Sequence, residues 1–164
     1  MRLTQMNETS LMEQTVKLSL AHVHQGGTPF SALVVDEKGQ VVGKGVNRVT
    51  ELSDPTAHAE ILAIRDASAS LGNSDLSGKT LFASGEPCAL CYLAAKWAGI
   101  NTIYIAADRH EAARSGFDYR WSYELFGHDH PSPSSITVEK IDVSNANSPF
   151  EHWNKLGVDA NNDR

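Results

Sequence analysis

The sequence has no long hydrophobic run and no excess of positive charge. No stretch approaches the ~20 apolar residues that a membrane-spanning helix needs. Residues 1–13 are polar and lack the apolar core of a signal peptide. The 20 acidic residues outnumber the 14 basic ones, so the formal net charge is −6. Because Lys and Arg bind nucleic-acid phosphates and no basic run is present, binding of a nucleic acid is disfavoured. We therefore expect a cytoplasmic protein with no membrane partner.

Cysteine is also scarce, since the 164 residues include only Cys88 and Cys91. So few cysteines exclude a disulfide scaffold, and the 41% of apolar and 21% of charged residues exclude disorder. The chain contains no internal repeat, no low-complexity tract and no linker rich in Pro, Gly or Ser. These features predict a single domain at residues 1–156, followed by a polar, frayed tail at residues 157–164.

Hydrophobic periodicity predicts alternating helices and strands. Strands are expected at residues 30–35, 41–46, 80–83, 102–106 and 136–141, and helices at residues 7–25, 55–71, 88–98, 109–115 and 149–156. Asn7 and Ser10 are candidate caps of the first helix, and residues 36–39 are typical of a hairpin turn. Because strands and helices alternate in the middle of the chain, those strands should pair in parallel with helices on both faces. The predicted class is α/β with a mixed five-stranded sheet.

The two cysteines are compatible with several kinds of site. A redox pair or two buried thiols would need no further residue, whereas a structural zinc site needs four protein ligands. One nearby histidine would make three ligands and leave the fourth position open, as in catalytic zinc sites. Pro87 suits the first position of a helix, which would put both thiols in its first turn. The helix dipole there favours the thiolate form that binds metals.

His58 and Glu60 lie at the predicted start of the second helix. Alone, His58 suits a solvated or satisfied side chain, and Glu60 suits a first-turn carboxylate that complements the helix dipole. Residues two apart do not share a face of a regular helix. A joint site therefore requires an irregular helix start.

Together these residues form a known signature. His58-Ala-Glu60 followed by Pro87-Cys-Ala-Leu-Cys91 resembles the H-x-E…P-C-x-x-C pattern of zinc-dependent nucleoside and nucleobase deaminases. The resemblance implies a three-layer α/β/α fold of the cytidine-deaminase type. It also implies one zinc ion per chain, held by His58, Cys88 and Cys91 with water or hydroxide as fourth ligand, and Glu60 as the catalytic proton carrier.

The likeness to bacterial guanine deaminases extends beyond this motif. It includes residues 43–47 (Gly-Lys-Gly-Val-Asn), 54–67, 112–118 and 148–150, with Trp153. It implies hydrolysis of guanine to xanthine and ammonia, a small-molecule nucleobase substrate, and a homodimer whose C-terminal segments are exchanged. Six residues are predicted to bind the substrate: Phe30, Asn47, Ala59, Glu86, Asp118 and Tyr119.

For several of these residues, the sequence also allows a purely structural role instead of substrate binding. Asn47 also suits capping of the loop after its strand, and Phe30 also suits core packing. The Glu86 side chain is expected to be solvated or to pair with the helix dipole, with neighbouring backbone facing the ligand. The aromatic-rich stretch suits either a wall for a flat base or packing in the core or a dimer; it comprises Phe117, Tyr119, Trp121 and Tyr123. His128 and His130 suit a solvated loop rather than a second metal site.

Two departures from the guanine deaminases concern the substrate. Tyr119 follows Gly-Phe-Asp where those enzymes tend to have an acidic residue, and the tail ends in Asn-Asn-Asp-Arg instead of a closing aromatic. The alternatives are a tRNA adenosine deaminase, a deaminase of cytosine, a nucleoside, a pterin or a triazine, and a zinc-bearing scaffold without catalysis. The acidic charge balance and Gly116-Phe-Asp118 count against tRNA, and an intact Glu60 counts against the scaffold.

Overall fold

The computed structural model describes residues 5–125 and 136–157, in which helices and strands alternate. The strands are β1 (Ser31–Val35), β2 (Val41–Val46), β3 (Thr80–Gly85), β4 (Thr102–Ala107) and β5 (Thr137–Lys140). The helices are α1 (Gln5–His24), α2 (Val49–Leu52), α3 (Ala59–Leu71), α4 (Ala89–Trp97), α5 (Arg109–Arg114), α6 (Trp121–Glu124) and α7 (Ser148–Lys155).

The sheet is mixed, in the strand order β2-β1-β3-β4-β5. β1 is antiparallel to both β2 and β3, whereas β3, β4 and β5 run parallel to one another. The hairpin between β1 and β2 is stabilised by Asp36, whose carboxylate accepts hydrogen bonds from the backbone of Lys38 and Gln40 at 2.9 and 2.8 Å. The predicted α/β class with a mixed five-stranded sheet is confirmed.

Helices cover both faces of the sheet. Successive residues of the central strands point to opposite faces, and both sets are apolar and need to be covered. Leu81, Ala83, Ile103 and Ile105 pack with α3 and α4, whereas Phe82, Tyr104 and Ala106 pack with α1. β3 and β4 are accordingly buried along almost their whole length, which explains their continuous apolar runs. The result is a three-layer α/β/α arrangement.

Two details of the sequence prediction are wrong. α1 begins at Gln5, so Asn7 and Ser10 lie inside the helix and are not its N-cap. Ser10 is exposed there, and its hydroxyl can be solvated. The prediction also lacks α2 and α6, since four residues are too few for a periodic signal. His128, His130 and residues 158–164 lie outside the described residues. Within the described ranges, no helix has the length and hydropathy to cross a membrane.

Close packing of β2 on α3 sets the position of the α3 N-terminus. A Cβ atom at Gly45 would lie 2.3 Å from the backbone oxygen of Ala59, and one at Gly43 would lie 2.5 Å from that of Ala63. Only glycine permits such an approach of two backbones. Just beyond β2, the backbone N–H of Arg48 donates to the Ala57 carbonyl at 2.9 Å. The end of β2 is therefore held against the start of α3.

Candidate active site

The N-termini of α3 and α4 bring the predicted metal ligands together. His58 is the N-cap of α3 and Cys88 is the N-cap of α4, and both have extended backbones (ψ 155° and 173°). The extended N-cap of His58 is the irregular helix start that a joint site with Glu60 requires. Pro87 precedes the N-cap and does not occupy the first helical position, so that prediction is wrong. The chain turns into the helix only after Cys88, whose carbonyl accepts the first helical hydrogen bond, from Tyr92 at 3.0 Å.

The three donor atoms form a compact triangle. His58 Nδ1 lies 3.5 Å from Cys88 Sγ and 3.4 Å from Cys91 Sγ, and the two sulfur atoms are 3.6 Å apart. In a tetrahedral zinc site with ordinary bond lengths, two sulfurs are about 3.8 Å apart and a sulfur and a nitrogen about 3.6 Å apart. The donor set and its spacing therefore fit zinc. Three protein ligands leave one position of the tetrahedron for a small ligand.

Mutual contacts shift the pKa values of the metal-binding groups. Hydrogen bonding with Cys91, together with hydrogen bonding to His58, lowers the pKa of Cys88 to about 4. Burial acts to lower the pKa of His58, but hydrogen bonding to Cys88 and the neighbouring negative charges raise it overall. The lowered pKa of Cys88 favours its thiolate form, which is the form that binds a metal.

Glu60 lies beside the triangle without being one of its donors. Its side chain is buried, and its Oε2 atom is 3.5 Å from Cys91 Sγ. Burial and the charge of Cys88 raise the pKa of Glu60 to about 7. A carboxyl group with such a pKa exchanges its proton readily near neutral pH.

A cavity of about 340 Å³ opens beside these groups, which is a typical volume for a small-molecule site. It is lined by His58, Glu60 and Cys88 and by all six predicted substrate-binding residues: Phe30, Asn47, Ala59, Glu86, Asp118 and Tyr119. Pro55, Leu90 and Ser122 also line it and were missed by sequence reasoning, because single residues in loops and at helix starts carry no motif.

The aromatic residues pack in the core and also line the cavity. Phe30 packs edge-to-face on Phe117 and Phe150, with ring centroids 5.1 and 5.4 Å apart, and so belongs to the core. Phe30, Phe117 and Tyr119 also line the cavity, as does the half-exposed Trp121. These rings give the cavity flat apolar walls.

Asn47 makes two hydrogen-bonding contacts, one through its side chain and one through its backbone. Its Oδ1 atom accepts a hydrogen bond from the backbone of Val49 at 3.2 Å, which caps the start of α2. Its backbone oxygen lies 2.7 Å from Nε2 of the buried His22. Asn47 also lines the cavity, so its side-chain amide can meet a ligand there.

Glu86 is not solvated as expected, but is buried in an ion pair with Arg109. The guanidinium of Arg109 contacts the carboxylate through Nη2 at 2.6 Å and Nε at 3.1 Å, and the backbone N–H of Arg109 donates to it at 2.7 Å. Tyr92 donates a further hydrogen bond at 3.2 Å. Arg109 was missed, because no sequence motif links the residue after β3 to the first residue of α5.

Asp118 and Tyr119 occupy the rim and the wall of the cavity. Asp118 is half-exposed and pairs with Arg120, whose hydrogen bond lowers the pKa of Asp118 to about 2. The hydroxyl of Tyr119 donates to the backbone oxygen of Glu86 at 2.6 Å. Tyr119 therefore presents its ring to the cavity while its polar atom is bound to the protein.

The site agrees with a known family. The cytidine and deoxycytidylate deaminase zinc-binding region matches residues 5–107, which include the metal-binding triangle and Glu60. The chain belongs to the cytidine and deoxycytidylate deaminase family. The resemblance inferred from the sequence motif is thus confirmed. This deaminase is a zinc-dependent hydrolase that acts on C–N bonds of cyclic amidines.

Three relatives of this deaminase differ in how much of it they match. A guanine deaminase of Bacillus subtilis is 36% identical over 90% of this chain and 94% of its own length. The solved structure of a guanine deaminase from Nitrosomonas europaea has a TM-score of 0.77 at 27% identity and covers 94% of this chain and 87% of that one. A tRNA-specific adenosine deaminase of Aquifex aeolicus is 40% identical, but over only 51% of this chain and 54% of its own. The likeness to the guanine deaminases therefore includes the C-terminal part of the fold.

Proposed function

We propose that this deaminase hydrolyses guanine to xanthine and ammonia. The observation that carries the proposal is one cavity lined by two metal-binding side chains, a buried carboxylate and several aromatic rings. The full-length similarity to guanine deaminases supports this substrate over tRNA, whose deaminase matches about half of the chain. The net charge of −6 also favours a small nucleobase over a polyanion.

Each step of the reaction has a residue suited to it. Zinc held by His58, Cys88 and Cys91 would supply a Lewis acid that acidifies water. Glu60 takes the proton of the attacking water and passes it to the ring nitrogen as the C–O bond forms. It then carries the remaining proton, from the new C–OH group, to the exocyclic amine, so that the C=O bond forms, the C–N bond breaks and ammonia leaves. Water and guanine thereby give xanthine and ammonia, with no other reactant.

Recognition of the base is assigned to the cavity walls. The amide nitrogen of Asn47 donates to an acceptor on the base. Ala59 is the first residue of α3, so its backbone N–H has no acceptor within the helix and suits a carbonyl oxygen of the base. Phe30, Tyr119 and Trp121 form apolar surfaces for a planar ring.

The test is ammonia release by the zinc-loaded protein. The panel comprises guanine, guanosine, adenine, cytosine, amino-pterins, amino-triazines and tRNA. Guanine is expected to be turned over with the highest kcat/KM, and tRNA not at all. Turnover of another base in preference to guanine would overturn the substrate assignment while leaving the zinc chemistry intact. Absence of turnover throughout would favour a zinc-bearing scaffold.

Tyr119→Asp is expected to increase selectivity for guanine. It places a carboxylate in the cavity wall, where it can accept hydrogen bonds from the N–H groups of guanine. A hydrogen bond to a charged group contributes about 1.5–3 kcal/mol, so kcat/KM for guanine relative to adenine should rise by about tenfold or more. Tyr119→Phe is the control, because it removes the bond to Glu86 without adding a charge. Equal base profiles of the two variants would contradict a role of residue 119 in selectivity.

We also propose that this deaminase is a homodimer. The exposed face of α4 presents Leu90, Leu93 and Trp97 at helical spacing, and Trp97 is 83% exposed. Apolar surface of this kind is typical of a protein interface.

Trp97→Glu is expected to convert the dimer to a monomer, because it places a charge in that apolar face. Analytical ultracentrifugation at micromolar protein concentration measures the change. Lys96→Glu serves as the control, since Lys96 is exposed on α4 beside this face. A monomeric wild-type protein, or a Trp97→Glu variant that remains dimeric, would contradict the assignment.

The site is best suited to the cytoplasm. Both cysteines must stay reduced to bind zinc, and thiols remain reduced in that compartment. The substrate is a small molecule in this proposal, and neither a membrane nor a nucleic acid is required.

A further inference from the structure

The loop that presents Cys88 is held by a segment far from it in sequence, residues 119–123. The Tyr119 hydroxyl donates to the Glu86 carbonyl at 2.6 Å, and the Tyr123 hydroxyl donates to the Pro87 carbonyl. The backbone N–H of Ala89 donates to Ser122 Oγ at 3.2 Å. Segment 119–123 thus contacts Pro87 and Ala89, which flank Cys88 in the chain, and also Glu86.

These hydrogen bonds give partners to backbone groups that have none within a helix or a strand. β3 ends at Gly85 and α4 begins at Ala89, so residues 86–88 lie outside both. The N–H of Ala89, at the first position of α4, has no acceptor within that helix. Buried backbone groups left without a partner are strongly unfavourable. The side chains of segment 119–123 therefore fix the backbone conformation around Cys88.

Tyr123 is itself fixed from a second side. The Arg109 guanidinium lies 3.9 Å from the centre of the Tyr123 ring. The same guanidinium binds the carboxylate of Glu86 in a bidentate ion pair, and both charged side chains are about 90% buried. A cation over an aromatic ring and a buried bidentate pair are each geometrically restrictive. Arg109, Glu86 and Tyr123 therefore form a closed cluster around the backbone that leads to Cys88.

We propose that Tyr123 and Ser122 are positioning residues of the metal centre, which hold the Cys88 loop so that zinc is retained. The zinc site is a property of the family, and the proposal does not depend on which base is the substrate. Groups that orient metal ligands typically change metal affinity by about 10–100-fold when they are removed. Tyr123 provides the more direct test, because Tyr123→Phe removes one hydroxyl and preserves the ring beneath Arg109.

The experiment measures release of zinc from the loaded protein to a chromogenic chelator. Tyr123→Phe is expected to release zinc about tenfold faster than the wild type, and Ser122→Ala is expected to accelerate release in the same direction. The matched control is Tyr104→Phe. The Tyr104 hydroxyl donates to Glu8 at 2.8 Å, and Tyr104 packs with α1 on the opposite face of the sheet.

Thermal unfolding of each variant separates positioning from general stability. The proposal is supported when Tyr123→Phe releases zinc faster than Tyr104→Phe at an equal loss of Tm. The absorption spectrum of Co²⁺ bound in place of zinc should also change in Tyr123→Phe and not in Tyr104→Phe, because it reports ligand geometry. Equal release rates and unchanged cobalt spectra in the two variants would overturn it.

Discussion

Glu60→Gln is expected to retain zinc and to lose turnover by about 10²–10⁴-fold, the usual contribution of a general acid–base group. Glutamine has nearly the shape of glutamate but cannot carry the transferred proton. Because Glu60 lies outside the triangle of metal donors, its replacement should leave the metal in place. Steady-state kinetics together with the zinc content of the purified protein measure both effects.

The same substitution at an exposed glutamate is the control for Glu60→Gln. Glu51 on α2 is half-exposed and pairs with Arg48, so Glu51→Gln should leave kcat unchanged. A Glu60→Gln variant that keeps substantial activity would refute the proton-carrying role. Loss of zinc from that variant would instead assign Glu60 to the metal site.

Cys88→Ala is expected to abolish zinc binding and to lower the stability of the fold. Removing one of three donors leaves two, which cannot complete the site that the spacing of His58, Cys88 and Cys91 provides. A metal that binds only the folded state adds to its stability by mass action. The variant should therefore contain no zinc, show no turnover and unfold at a lower temperature than the zinc-loaded wild type.

A chelator provides the matched comparison for Cys88→Ala. Removal of zinc should lower the Tm of the wild type towards that of Cys88→Ala, whereas the Tm of the variant should not respond. Thermal unfolding with and without chelator, combined with metal analysis, tests this. A Cys88→Ala protein that purifies with a full complement of zinc would contradict the ligand assignment.

The predictable parts of this fold are those with a local signal. The runs of β3 and β4 are apolar because both faces of these strands are buried, and the strand–helix alternation then implies their parallel pairing. Helix boundaries were less predictable. Proline suits a first helical position, yet α4 begins at Ala89, after the extended Cys88, and the carbonyl of Pro87 is bound by Tyr123.

The candidate site also has features with a local signal in the sequence and features without one. The pattern of His58, Glu60, Cys88 and Cys91 is contained in two short segments, so the zinc chemistry could be predicted from their spacing and resemblance. The environment of Glu86 could not, because its partner Arg109 lies 23 positions away in sequence. The six predicted substrate-binding roles remain predictions, although all six residues line the cavity.

The sequence by itself determined the α/β class and the family and predicted the metal donors, because periodicity and motif spacing are properties of consecutive residues. Tertiary structure alone decided how segment 119–123 meets the Cys88 loop, how Glu86 pairs with Arg109 and why the hydroxyl of Tyr119 donates to the Glu86 carbonyl. Each of these depends on groups from separate elements meeting at one edge of the sheet. Their pairing follows from buried polar groups requiring partners, and those partners are chosen by packing rather than by position in the chain.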